Sequence, residues 1–184
     1  MKKIILSVVV LACFLSQTNA QIKFGIKGGV NFDKFNYTDV KSNSTTGWQA
    51  GVLLQVKVPG IGIGIQPEAL YTVRNMEAYN AKGSSKNNIH YLEVPVNVQW
   101  GLDLVLLRPF LMFGPYFCYA VNIKGDVLKD RINKFDWGIG LGAGLDIWKL
   151  QFGARYTWGL QNVSSVKDFD MKSNSFKVSL GYLF

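Results

Sequence analysis

Along residues 135–160, FDWGIGLGAGLDIWKLQFGARYTWGL, apolar positions alternate with small or polar ones without a break. Phe135, Trp137, Ile139, Leu141, Ala143, Leu145 and Ile147 share one face of an extended chain, and Asp136, Gly138, Gly140, Gly142, Gly144 and Asp146 share the other. After Trp148 and Lys149 the alternation resumes, with Leu150, Phe152, Ala154, Tyr156, Trp158 and Leu160 against Gln151, Gly153, Arg155, Thr157 and Gly159. Period two over this length is a strand signal and excludes an amphipathic helix, whose apolar positions follow a period of about 3.6. Each limb is long enough for a bilayer-crossing strand of about 9–11 residues. Aromatic residues sit near the limb ends, as an interfacial girdle requires.

The same unit recurs. Alternation predicts further strands over 22–33, 47–58, 61–74, 89–100, 106–121 and 174–184. The segment 106–121 is the least regular, because both of its faces are largely apolar. Pro67 removes a ladder donor inside 61–74, so a bulge is expected there. Polar connections at 34–46, 75–88, 122–134 and 161–173 read as loops, and tight ones at Pro59-Gly60, 101–103 and Trp148-Lys149 read as turns. Long and short connections therefore alternate. That is the layout of an all-β, eight-stranded antiparallel up-and-down transmembrane barrel with extracellular loops, periplasmic turns and both ends on the periplasmic side.

A soluble lipocalin-like barrel would turn the apolar face inward. Glycine decides against that reading. Gly25, Gly29, Gly51, Gly62, Gly64, Gly138, Gly140, Gly142, Gly144 and Gly153 crowd the polar face, where they add no solubility but make room in a narrow lumen. The other face carries Trp48, Trp100, Trp137, Trp158, Phe24, Phe32, Phe135, Phe176 and Phe184, too much bulk for the inside of eight strands. Closure also leaves no backbone edge unpaired in lipid.

The first 20 residues read as a cleaved export signal, with Lys2-Lys3, an apolar run over 4–15 and small residues up to Ala20. The barrel domain is then 21–184. Cys13 lies inside the apolar run and leaves with it, so Cys118 has no intramolecular partner. The net charge of +8 is scattered among acids and forms no basic stripe, so no nucleic-acid partner is expected. GIGLGA at 138–143 satisfies a dinucleotide-type string but runs on into another strand instead of a helix, which rejects it. No His, Cys and acid cluster has metal-ligand spacing, and no cofactor or metal is expected.

Several stretches carry a family resemblance: GIKGGVNF at 25–32, IQPEALY at 65–71, YLEVPVNVQW at 91–100, FDWGIGLGAGLDIWKLQFGARYTWGLQNV from 135 and the closing SLGYLF. Together they make the chain similar to the PorT-like outer-membrane β-barrel family of Bacteroidota. The resemblance implies an eight-stranded barrel in the outer membrane, in contact with its lipid. It implies no shared activity, because members are defined by architecture. Phe176, Val178, Leu180, Tyr182 and the terminal Phe184 alternate outward and resemble the recognition strand read by the barrel assembly machinery, which would pair with an extended edge.

Parity places Lys27, Glu68, Glu93, Arg155 and Lys177 in the lumen, with acids and bases on opposite walls. Buried charges need partners, so Glu68 and Glu93 are expected to pair with Arg155 and with Lys177 or Lys27, forming a polar plug. The alternative function for the same cluster is a narrow gated ion channel. His90 is the single histidine, at the outer end of its strand. An interfacial lipid-modifying enzyme would use it with Ser84, Ser85 or Glu77, but no motif links them, and no catalytic residue is assigned. Phe35, Tyr37, Tyr79 and Phe169 in the loops are candidate contacts for an envelope protein or a glycan. The expected function is a small integral outer-membrane barrel, not an enzyme, with a structural or binding role, displaying four loops over a plugged lumen.

Overall fold

Alternation in the sequence becomes eight strands: β1 (Gln21–Asn36), β2 (Thr45–Lys57), β3 (Ile63–Asn80), β4 (Gly83–Gly101), β5 (Leu107–Ile123), β6 (Phe135–Ile147), β7 (Leu150–Gly159) and β8 (Lys172–Leu183). The computed structural model describes residues 21–36, 45–58, 61–80, 83–104, 106–123, 135–160 and 172–184. Of 34–36, 76–80, 83–88, 122–123 and 172–173 it describes the backbone alone. Each strand pairs antiparallel with the next, and β1 pairs with β8 from Gly25↔Leu183 to Asn36↔Lys172, so the barrel closes.

The faces segregate as the alternation predicts. Trp48, Trp100, Trp137 and Trp158 lie on the outer wall, and Phe24 there is 65% exposed. Glu93, Gln55, Asn97 and Gln99, on the inner wall, have no exposure at all. The irregular β5 has the same geometry. Its outward residues Leu111, Phe113 and Phe117 are exposed and its inward residues Phe110, Met112, Tyr116 and Cys118 are buried. Alternation is weak there because part of the lumen wall is itself apolar, a cluster of Ile89, Tyr91, Tyr116, Cys118 and Ala120.

The inward glycines of β6 seat bulky neighbours. A Cβ on Gly138 would lie 2.7 Å from the Tyr116 ring, one on Gly140 2.3 Å from Arg155 Nε, and one on Gly144 2.3 Å from Phe110 Cζ. Neighbouring walls thus trade volume, large against absent, as a close-packed interior demands.

Two expectations about the ladder need correction. No bulge forms at Pro67. Pairing with β2 lapses at Gln66 and Pro67, then resumes in the same register, and pairing with β4 is unshifted. The missing donor is absorbed as a gap. The register shift falls instead between His90 and Tyr91, where β4 meets β5.

The second correction concerns residues 75–88, which read as a loop. Here β3 and β4 stay paired from Asn75↔Asn88 to Asn80↔Gly83. Pairing of β2 with β3 begins only at Trp48↔Val73, and β4 with β5 only at Ile89↔Ile123. Among the described residues, the β3–β4 ladder therefore runs on for six residues per strand past its pairing with β2 and β5, roughly 20 Å at about 3.3 Å per residue. A ladder beyond the rim has no lipid face or lumen face to serve, so its sequence shows no alternation. Phe35 and Tyr79, placed in loops by sequence, fall within β1 and β3.

Gly144→Val tests the volume exchange. Overpacking against Phe110 should lower unfolding stability by about 1–3 kcal/mol, measured by urea titration in lipid vesicles. Adding Phe110→Ala should recover part of that loss.

Candidate functional site

The lumen is the chemically richest part of the molecule, and it is layered. Near the turn end, inward positions of six strands, β2 to β7, bring amides and charges to one level. Gln66 Oε1 accepts from Gln99 Nε2 at 2.8 Å, from Gln151 Nε2 at 3.1 Å and from Gln55 Nε2 at 3.4 Å. Asp146 Oδ1 accepts from Gln151 at 2.8 Å, and its Oδ2 lies 3.3 Å from Arg108 Nη1. Arg108 also reaches Gln99 Oε1 at 3.2 Å, the Gly62 carbonyl at 3.1 Å and Asp103 at 3.1 Å.

One level up, Lys27 Nζ donates to both oxygens of Glu68 at 2.9 Å. Glu68 Oε1 also accepts from Gln66 Nε2 at 2.7 Å and Asn97 Nδ2 at 3.1 Å. Toward the long-loop end, Glu93 is bound by Lys177 Nζ and lies 3.5 Å from Arg74 Nη2. Arg74 is the hub of this level. It lies 3.8 Å from both Asp33 and Asp136, and its guanidinium stands 4.9 Å from the Tyr91 ring centroid. Lys177 similarly stands over Tyr116 at 5.8 Å.

Of the lumen residues singled out from sequence, the structure brings Lys27 to Glu68 and Lys177 to Glu93. The expected ion pair to Arg155 is not what the structure holds. Arg155 Nη2 donates to the Gly114 carbonyl at 2.9 Å, and its guanidinium lies on Gly140. The register explains this. Arg155 and Lys177 are directly opposed across β7 and β8, and like charges so placed repel. Lys177 turns to Glu93, and Arg155 turns away to the glycine face.

Arg74, Arg108, Asp33, Asp136 and Asp146 were not singled out from sequence, yet all are buried in the lumen. Parity was available for Arg74, Asp136 and Asp146. Their positions near strand ends concealed them, because burial there depends on neighbouring side chains that close the lumen above and below. Every one of these carboxylates faces a cation within 4 Å, an arrangement suited to holding charge in a dry interior. Among the described residues no group of three His, Cys, Asp or Glu could hold a metal ion.

His90 points outward. Its Nδ1 lies 2.8 Å from Tyr71 Oη, and Tyr71 also contacts Trp48 at 5.9 Å between centroids. This is a belt of three aromatic rings across β2, β3 and β4. The side chains of Glu77, Ser84 and Ser85 lie outside the described residues. On β8, Phe176, Val178, Leu180, Tyr182 and Phe184 are all exposed on the outer wall. Tyr37 and Phe169 lie outside the described residues.

The profile of the outer membrane protein beta-barrel domain family matches residues 15–165. The chain belongs to that family. Solved structures agree on the fold. The outer membrane enzyme PagL is 14% identical with a TM-score of 0.58, covering 86% of this chain and 98% of its own. The attachment invasion locus protein Ail of Yersinia pestis, in complex with the heparin analogue sucrose octasulfate, is 14% identical at a TM-score of 0.53, covering 89% and 99%. Neisserial surface protein A is 12% identical at 0.53, covering 88% and 97%. Among curated proteins none matches the chain. The protein is a small outer-membrane β-barrel, and neighbours at this identity share its scaffold without fixing its activity.

Glu93→Gln should leave Lys177 and Arg74 buried with too little negative charge, costing about 3–5 kcal/mol. Adding Lys177→Met should recover part of the loss. Urea titration followed by tryptophan fluorescence measures both.

Proposed function

We propose that this outer-membrane barrel is a non-catalytic scaffold that presents its long-loop end to the exterior for binding and keeps its lumen closed to ions. The observation that carries this reading is the lumen itself, where Lys177 of β8 meets Glu93 of β4 from the opposite wall, Arg74 of β3 joins them, and Lys27 of β1 reaches over β2 to Glu68 of β3. Side chains committed to one another occupy the lumen and take up the Glu68 and Glu93 carboxylates, which supports a closed lumen without acid–base work. At the rim, the β3–β4 ladder runs on past its pairing with β2 and β5, with no other strand paired to it there among the described residues. Such edges are suited to strand addition by a partner.

Further parts of the proposal rest on sequence. Residues 1–20 are removed as an export signal. The stretches GIKGGVNF and YLEVPVNVQW support membership of the PorT-like group of Bacteroidota. The exposed alternate residues of β8 from Phe176 to Phe184 serve the assembly machinery, and an envelope protein or a glycan is the partner at the rim. Tyr71 Oη lies 2.8 Å from His90 Nδ1 and the Tyr71 ring packs toward Trp48, so the histidine forms part of an aromatic cluster on the outer wall, which supports a belt role for it.

Planar-bilayer conductance should stay at baseline for the wild type and for Arg155→Ala, and steady channel currents in either would overturn the closed lumen. Orientation is tested with a membrane-impermeant maleimide, against which the buried Cys118 is silent. Ala81→Cys, between β3 and β4 in sequence, should label on intact cells, whereas Lys149→Cys should label only after the outer membrane is permeabilised. The reverse pattern would invert the barrel.

A further inference from the structure

The turn end of the lumen is not filled. A vestibule of about 520 Å³ opens there, within the range of about 300–1,000 Å³ typical of ligand pockets. Its floor is cationic. Arg108 is committed to Asp103 and Asp146, the acids that line the vestibule with it. Lys23 and Lys57 line it too, and neither has an ion pair within 4 Å among the described residues. Lys23 pairs with Gln55 and Lys57 with Gln21, so the two lysines are diagonal neighbours on adjacent strands, about 7–8 Å apart at the backbone. Two like charges at that spacing repel, Asp146 and Asp103 offset this only in part at Lys57, and an anion between the two lysines would relieve it.

The rim is apolar. Leu104 and Leu106 from the β4–β5 turn and Trp148 from the β6–β7 turn all line the opening and are strongly exposed. Trp148 sits in a two-residue turn with φ at 54°, where asparagine or glycine would be unstrained. A large ring is held there against the preference of its backbone. Cationic floor and apolar rim face one space.

We propose that the vestibule binds an anionic headgroup carrying one apolar chain, a fatty carboxylate or an alkyl phosphate. The headgroup lies between Lys23 and Lys57, and the chain lies against Leu104, Leu106 and Trp148. This goes beyond the closed-scaffold reading and does not depend on which partner meets the rim.

The test uses the full mature barrel in dodecyl maltoside micelles, which carry no phosphate, with the tryptophan indole N–H signals as reporters. Octyl phosphate and octanoate are the probes and octanol the neutral control. Saturable movement of the Trp148 signal with both anions is expected, while Trp48, Trp100, Trp137 and Trp158 on the outer wall stay in place. Lys23→Gln/Lys57→Gln should weaken anion binding at least about tenfold, the scale of losing charge-assisted hydrogen bonds. Lys23→Arg/Lys57→Arg should retain it, and Lys57→Gln alone should weaken it in the same direction should the double variant not fold. Tighter binding of octyl phosphate assigns the site to phosphate headgroups, and tighter octanoate assigns it to fatty acids. Equal response to octanol, movement of all five tryptophans together, or unchanged affinity in a folded glutamine variant would overturn the proposal.

Discussion

The constraint on which this structure depends is that a backbone amide in hydrocarbon has no water to bond. Seven hairpin-type pairings would leave β1 and β8 each with a bare edge, so the ladder from Gly25↔Leu183 to Asn36↔Lys172 is what makes the other seven tolerable in a membrane. Closure at eight strands then fixes a lumen only wide enough for side chains. Along the paired walls, volume added by one strand must be given up by its neighbour. That is why β6 offers glycine where β5 and β7 offer Phe110, Tyr116 and Arg155.

The narrow lumen imposes a second rule on charge. A carboxylate there is out of reach of bulk water, so a nearby cation and donors to its lone pairs are what stabilise it. Glu68 has them in Lys27, Gln66 and Asn97, and Glu93 in Lys177, Arg74 and Thr72. The repelling pair Arg155 and Lys177 is resolved by geometry instead of by neutralisation, since one of the two turns onto a glycine and a backbone carbonyl. The two levels are also joined. Gln66 bonds both Glu68 and the amide layer below it, so a single polar network runs from mid-lumen to the turn end.

Legibility in the sequence followed these rules. Wherever a strand separates lipid from a polar lumen, alternation is strict, and strand identity, face and order could be read from β2, β6, β7 and β8 alone. It faded where the two environments converge. Along β5 the lumen wall is apolar, so both faces read alike, though the structure keeps the same parity. It vanished beyond the rim, where residues 75–88 pair without separating anything. Individual partners were harder to read than faces. Parity placed Arg155 inside, but its bond to Gly114 depends on register between β5, β6 and β7, which no single strand encodes. The hub role of Arg74 depends on Asp33, Asp136 and Glu93 from three other strands.

A lumen so occupied with holding the barrel together moves the remaining chemical freedom to its two ends, and these ends are unlike. At one, the β3–β4 ladder runs past its pairing with β2 and β5, its outer edges without a paired strand among the described residues. At the other, two lysines without an ion pair among the described residues and a strained tryptophan surround an unfilled space. The wall between them is fixed by lipid outside and by volume and charge inside, so it can diverge in sequence only by conserving those sums. That accounts for scaffolds matching this one at 12–14% identity while their names run from an enzyme to a surface protein and an attachment protein. In such a family, what distinguishes one member from another is to be sought where closure makes no demand, at the rim and at the turn-end mouth.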